Sequence, residues 1–256
     1  MNESCLEFLM FVLEGHICII FTQSSRMSKN IIITGASSGI GKATMELLLA
    51  KGHNITAVSR NISKLEKSEN DRLLLISADV RSYYDAKKVV DLTIEKFGII
   101  DVLINNAGLG YFDNLAEGSI EHWQEMVDIN IKGVLNYLHA ALPALLDSKG
   151  HIINVGSVAS HLVFPSSGVY CATKHAVYAI TESIRMDLKG KVKATLISPG
   201  QVDTNFINIT TNEEIKSNLR EVFKSGLRPE TVAGNILYAI ESPAVISEII
   251  VRPNLL

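Results

Sequence analysis

Residues 31–41 read IIITGASSGIG. Ile31 to Thr34 form a short β-favouring run that stops at Gly35. Gly39 and Gly41 follow, and a helical pattern begins there. Gly35 permits a tight turn, Gly39 lets backbone approach a pyrophosphate, and Gly41 lets helix pack close to strand. The first N–H groups of that helix, with the backbone of Ser37, Ser38 and Ile40 beside them, would face the phosphates. A glycine-rich loop alone is a weak signal. Between a first strand and a helix it becomes a dinucleotide-binding signal, with a purely structural turn as the competing reading.

Moving outward, the same alternation repeats. Short apolar runs occur at 31–34, 55–59, 73–77, 102–105, 151–155, 193–197 and 246–251. They are mostly apolar on both faces, as in parallel strands buried on both sides. Helix-length segments separate them. Ser82 with Asp85, and Thr211 with Glu214, resemble capping boxes. Pro229 fits the first turn of a helix over 230–240. Right-handed crossovers then give a single α/β domain: a doubly wound parallel sheet of about seven strands, helices on both faces, Rossmann-type. Ligands bind such sheets beyond the carboxyl ends of the strands.

The bulk composition agrees. The 256 residues are 47 % hydrophobic and 20 % charged, with a net charge of −3. That suits one large domain and argues against disorder. Lys and Arg form no run, so electrostatics gives no reason to expect nucleic acid or an anionic membrane. Cys5, Cys18 and Cys171 are too few for a disulfide framework or zinc site, which points to a reducing, cytoplasmic compartment. His151, His161 and His175 have no ligand spacing, so no metal is expected.

Residues 1–28 stand apart from the domain predicted over 29–256. The apolar stretch at 5–21 is interrupted by Glu7, Glu14 and His16, against a membrane span, and has neither the basic start nor the cleavage site of a secretory signal. Met27 is followed directly by SKNIIITGASSGIG, a normal opening for a strand-first domain. Residues 1–26 are therefore expected to be a dispensable extension. A peripheral membrane or partner-binding segment is the alternative.

The second strand ends in Ser59 and Arg60, with no Asp or Glu nearby. An acid there would bind the ribose 2′-hydroxyl of NAD, whereas Arg accommodates the 2′-phosphate of NADP. The expected cofactor is therefore NADP (NADPH); a plain surface Arg is the competing reading. Asp79 follows the third strand. It could bind the adenine amine, with Val80 beside the ring, or cap the next helix. In NNAG (105–108), Asn105 and Asn106 can satisfy loop backbone, while Ala107 and Gly108 clear space for a flat ring or ribose.

VYCATKHAV (169–177) places Tyr170 and Lys174 four residues apart, on one face if helical. By themselves they could be ordinary residues of a half-exposed helix.

TGASSGIG, NNAG, GS at 156–157, YCATK at 170–174 and PGQVDT at 199–204 occur in this order, each at or after a strand or opening the next helix. Together they resemble the short-chain dehydrogenase/reductase family, from about Lys29 to Pro253. The resemblance implies that Tyr170 is the general acid/base and that Lys174 binds the nicotinamide ribose and lowers the tyrosine pKa. It implies that Ser157 hydrogen-bonds the substrate carbonyl and that Asn130 holds a water near the lysine. Thr204 and the Val202 backbone, beyond Pro199 and Gly200, would contact the nicotinamide amide. The family also implies a homodimer or homotetramer through helices near 120–146 and 170–188. Elementary chemistry is consistent with these roles. Reducing a ketone creates an alkoxide that needs a proton, and a cation near a phenol lowers a pKa that is otherwise about 10. Ser157 by itself would more often be a cap, and Asn130 by itself reads equally as a helix-packing polar residue or a site residue.

The expected function is an NADP-dependent oxidoreductase interconverting a secondary alcohol and a ketone or aldehyde, with a small-molecule substrate. A non-enzymatic NADP-binding sensor or scaffold on the same fold is the alternative. Leu109, Tyr111, Phe112, Leu162, Phe164 and Phe206 suggest an apolar substrate wall, and residues 203–228 a lid. SEIIVRP and SRN also resemble the branch oxidising 3-hydroxy acids such as serine. That branch needs a cation for the carboxylate, for which His161 and Lys132 are the available guesses.

Overall fold

The structure is a computed structural model and describes residues 6–13, 16–23, 28–65 and 70–254. First in the chain, β1 (Leu6–Leu13) and β2 (His16–Gln23) pair antiparallel, Leu6 opposite Gln23, as their own two-stranded sheet. The predicted apolar runs then become β3 (Asn30–Thr34), β4 (Asn54–Ser59), β5 (Leu73–Ser77), β6 (Val102–Asn105), β7 (His151–Val155), β8 (Lys193–Pro199) and β9 (Glu248–Val251). Among the described residues these seven form one sheet in the order β5-β4-β3-β6-β7-β8-β9, every neighbouring pair parallel. This is the predicted Rossmann-type doubly wound sheet, with the strand order reversing beside β3. β9 starts two residues later than predicted. The Ile246 carbonyl accepts from Thr195 Oγ1, while the Ser247 carbonyl accepts from the Leu196 N–H and from the Arg185 guanidinium.

β3, β6 and β7 are buried at every residue. Side chains alternate across the sheet and feed two cores. Ile31 and Ile33 join one with Leu48 of α1 (Gly39–Ala50). Ile32 joins the other with Val89 of α2 (Tyr83–Phe97). Ile32 is fully buried, so Ile32→Ala should cost roughly 2–5 kcal/mol.

The predicted 120–146 helix is divided into α3 (Ile120–Val127), a π-helical turn at Asp128–Lys132 and α4 (Gly133–Ser148). Next come α5 (Gly168–Asp187), α6 (Glu213–Lys224) and α7 (Pro229–Glu241). α4 and α5 contribute Tyr137 and Ile184 to the second core, and α7 contributes Ile236 to the first. Pro229 opens α7 at its first turn, as predicted. Ser82 caps α2 by accepting from the Asp85 N–H, but Asp85 turns to the Asp79 N–H, so only half of that box forms. For α6 the cap is Asn212, one residue beyond the predicted Thr211. Among the described residues no helix is long and apolar enough to cross a membrane.

Candidate active site

Beyond the carboxyl ends of the central strands opens a cavity of about 670 Å³. The glycine turn forms one end. Gly35 and Gly39 have φ of +68° and +53°, the left-handed region that favours glycine. Ser37, Ser38 and Ile40 line the cavity with them. The Ser38 side chain caps nothing, which leaves the first N–H groups of α1 open to an anion. Gly41 lies behind the lining. A Cβ there would stand 2.2 Å from the Gly35 carbonyl oxygen, so its role is the close helix–strand packing.

Thr34 ties this turn to the loop after β6, a role that was missed in the sequence. Its hydroxyl accepts from the N–H groups of Asn106 and Ala107, both at 3.0 Å. Asn106 Nδ2 returns a bond to the Thr34 carbonyl. Ala107 and Gly108 border the cavity beyond. Asn105 does not serve the loop backbone as expected: its amide donates to Asn154 inside the core.

Ser59 donates to Ser37 at 2.7 Å, joining the end of β4 to the glycine turn. Arg60 stands beside it, exposed, 4.0 Å from Glu125 of α3. Glu125 also lines the cavity and accepts from the Tyr111 hydroxyl at 2.7 Å. No sequence motif marks this carboxylate. Asp79 and Val80 line the same end. The cap reading of Asp79 fails, because Ser82 holds that position. Asp79 instead accepts from the Arg81 N–H and guanidinium, and the guanidinium bonds hold its carboxyl below the ordinary range.

At the other end, α5 presents Tyr170 and Lys174 to the cavity, as the four-residue spacing predicted. The Lys174 ammonium lies 5.9 Å from the Tyr170 ring centroid and donates to the Val155 carbonyl at 2.9 Å. Ser157 ends the loop after β7 and fulfils the cap reading. It caps the short 158–160 turn and faces the tyrosine. Burial pushes the Tyr170 hydroxyl up to about 12, with the Ser157 hydroxyl pulling the other way. Burial brings Lys174 down to about 8. In the protein by itself burial of the phenol therefore dominates, and the expected lowering concerns the site with its cofactor bound.

Asn130 sits in the π-helical turn, and such turns frequently accompany functional sites. Its amide clasps the Leu109 backbone, accepting from N–H at 2.9 Å and donating to C=O at 2.8 Å. A third bond, at 3.0 Å, goes to Thr173. It thus positions the loop carrying Gly108 and the helix carrying Lys174, outside the lining itself. Pro199, Gly200, Val202 and Thr204 follow β8 along the cavity. Thr204 caps the 205–209 turn and lies where a Cβ on Gly39 would meet it at 3.1 Å.

Leu109, Tyr111, Phe112, Phe164 and Phe206 join the predicted wall; Leu162 does not. The lid expectation finds a physical basis in α6, whose Leu219, Val222 and Phe223 line the cavity. Their i, i+3, i+4 spacing was readable in the sequence. His161 pairs with Glu248 at 2.6 Å and Lys132 with Asp128 at 3.8 Å, so neither guessed cation joins the lining. His151 is bonded to Thr195 at 2.8 Å inside the core.

The model of the short chain dehydrogenase family matches residues 29–215. The chain belongs to this family and is an oxidoreductase of it. An uncharacterised oxidoreductase of Staphylococcus saprophyticus is 39 % identical over 236 residues, covering 88 % of this chain and 96 % of its own. Among solved structures, the closed form of a serine dehydrogenase complexed with NADP+ superposes with a TM-score of 0.80 at 29 % identity. It covers 87 % of this chain and 94 % of its own. A family member from Burkholderia phymatum in complex with NAD gives 0.81 at 26 % identity, covering 88 % and 90 %.

Proposed function

We propose that the protein is an NADP-dependent oxidoreductase that interconverts a secondary alcohol and a ketone or aldehyde. The observation that carries this reading is the placement of Tyr170, Lys174 and Ser157 at one end of a single cavity whose other end is an open helix N-terminus with Arg60 beside it. The cavity suits a dinucleotide. The left-handed glycines leave room for a pyrophosphate, the α1 N–H groups can bind it, and Arg60 can pair with a 2′-phosphate. Glu125 is a weak rival for that guanidinium, because an exposed ion pair contributes little. One solved relative carries NADP+ and another NAD, so the NADP preference rests on Arg60.

When bound, the dinucleotide would donate a hydride to, or accept one from, the reacting carbon. Ser157 would orient the substrate oxygen by hydrogen bonding, and Tyr170 would pass it a proton or take one back. Lys174 would favour the phenolate by its charge, and Asn130 would hold the Gly108 loop against α5. The surrounding apolar side chains would exclude water.

The test is NADPH and NADH oxidation over a panel of aldehydes and ketones. NADPH turnover with at least one member is expected. Tight NADPH binding with no turnover anywhere on the panel would favour the sensor reading. The same reading includes a cytoplasmic homodimer or homotetramer through the α4 and α5 region, where Leu135 and Leu146 are exposed. A purely monomeric mass by light scattering would contradict that assembly.

A further inference from the structure

The Tyr170 end of the cavity is walled by aromatic and aliphatic side chains from five separate segments. Tyr170, Phe112 and Phe206 form a triangle of rings, with centroids 5.5, 5.7 and 6.3 Å apart. Phe164, 38 % exposed, comes from the segment before α5. Leu219, Val222 and Phe223 come from α6.

α6 is informative because of what it does not bury. It is amphipathic, yet none of its residues is buried. Its apolar stripe faces the cavity while Lys216, Arg220 and Lys224 occupy other positions on the helix. An apolar face left half-exposed gains most from an apolar occupant.

Of the charged residues that line the cavity, only Lys174 shares the Tyr170 end. Arg60, Asp79 and Glu125 stand at the glycine-turn end. Lys174 is buried beneath the tyrosine and engaged by Val155. The polar side chains beside the aromatic rings are neutral, namely Ser157, Ser167, Asn205 and Gln201. Three of these are already engaged locally, Ser157 with the Ala159 N–H, Ser167 with the Pro165 carbonyl and Asn205 with Asn208. A carboxylate entering here would lose its water and find no cation except Lys174, which already donates to Val155, and such desolvation is strongly unfavourable.

We propose that the substrate is an uncharged carbonyl compound, or its secondary alcohol, carrying an aromatic or bulky apolar group next to the reacting carbon, and that carboxylates are rejected. This rests on the oxidoreductase reading and narrows its substrate. It separates the chain from the 3-hydroxy acid branch that the SRN and SEIIVRP stretches resemble. It also predicts discrimination against serine, the substrate named in the closed-form relative.

The experiment compares methyl benzoylformate with benzoylformate, which share a ketone and a phenyl ring and differ in one charge and one methyl group. Binding to the full chain is measured by calorimetry, with and without NADP+, and turnover with NADPH in parallel. The ester should bind roughly 100-fold more tightly than the acid. Phe223→Ala should weaken the ester about tenfold. Val222→Lys should improve the acid about tenfold while weakening the ester. Equal or tighter binding of the acid, or no binding of either compound, overturns the substrate assignment whatever the turnover shows. Ester binding without turnover of any carbonyl supports the assignment and sinks the oxidoreductase reading instead.

Discussion

Lys174 offers the sharpest physical prediction. The side chain is 6 % exposed and its ammonium donates to the Val155 carbonyl. Burial brings its pKa from the ordinary 10.5 down to about 8. Between those two pH values the unfolded chain holds a proton that the folded chain has released. Stability from this group therefore rises as pH rises through the window, and below pH 8 the buried charge is a constant penalty. Each pH unit contributes about 1.4 kcal/mol, so the window contributes roughly 3 kcal/mol.

Lys174→Met removes the titration. It also leaves the Val155 carbonyl without its donor, which costs about 1–3 kcal/mol at every pH. The absolute stability of the variant therefore decides little, and the pH dependence of the difference decides a great deal. Urea unfolding of both proteins between pH 7 and 10.5 is the assay. The parent should gain roughly 3 kcal/mol on the variant across that range, because all other groups titrate in both. A difference that stays flat would show that Lys174 is not desolvated as the structure places it, and the account of its charge would fall.

Four further outcomes are expected. Gly41→Ala should lower stability by about 1–3 kcal/mol in urea unfolding, since its Cβ would meet the Gly35 carbonyl oxygen at 2.2 Å. Arg60→Ala should raise the NADPH KM roughly 10- to 100-fold and leave NADH almost unchanged; equal losses would contradict the phosphate assignment. Asn130→Ala strands the Leu109 N–H and C=O and should cost about 2–3 kcal/mol in a thermal melt, with kcat falling as well. A chain beginning at Met27 should stay soluble and keep its turnover, because β1 and β2 form a sheet of their own; insolubility or lost activity would make them part of the fold.

The strands were legible because parallel strands buried on both faces write continuous apolar runs, and Ile31 to Ile33 need no partner to be recognised. The glycine turn and the Tyr170–Lys174 spacing were legible because their geometry is local. What escaped was decided by contacts distant in sequence or by hydrogen-bond register. His161 looked available for a carboxylate until it met Glu248, 87 residues away. Glu125 carries no motif and gains its place opposite Arg60 only when α3 packs. The π-helical turn at 128–132 is a shift in backbone bonding with no residue code of its own. Asn212 displaced Thr211 as the α6 cap because neighbouring Asn and Thr are both competent caps, and the loop geometry chose between them. The depth at which Tyr170 and Lys174 are buried was not legible either, because spacing shows which groups are neighbours and not how far they lie from water.

In the proposed function Tyr170 handles the proton in an alcohol–carbonyl interconversion. This role is tested most directly by Tyr170→Phe, which removes one hydroxyl and keeps the ring packed between Phe112 and Phe206. Turnover of any carbonyl the parent accepts should fall about 100- to 10,000-fold, with NADPH binding by fluorescence titration unchanged. Full turnover in Tyr170→Phe would contradict the account.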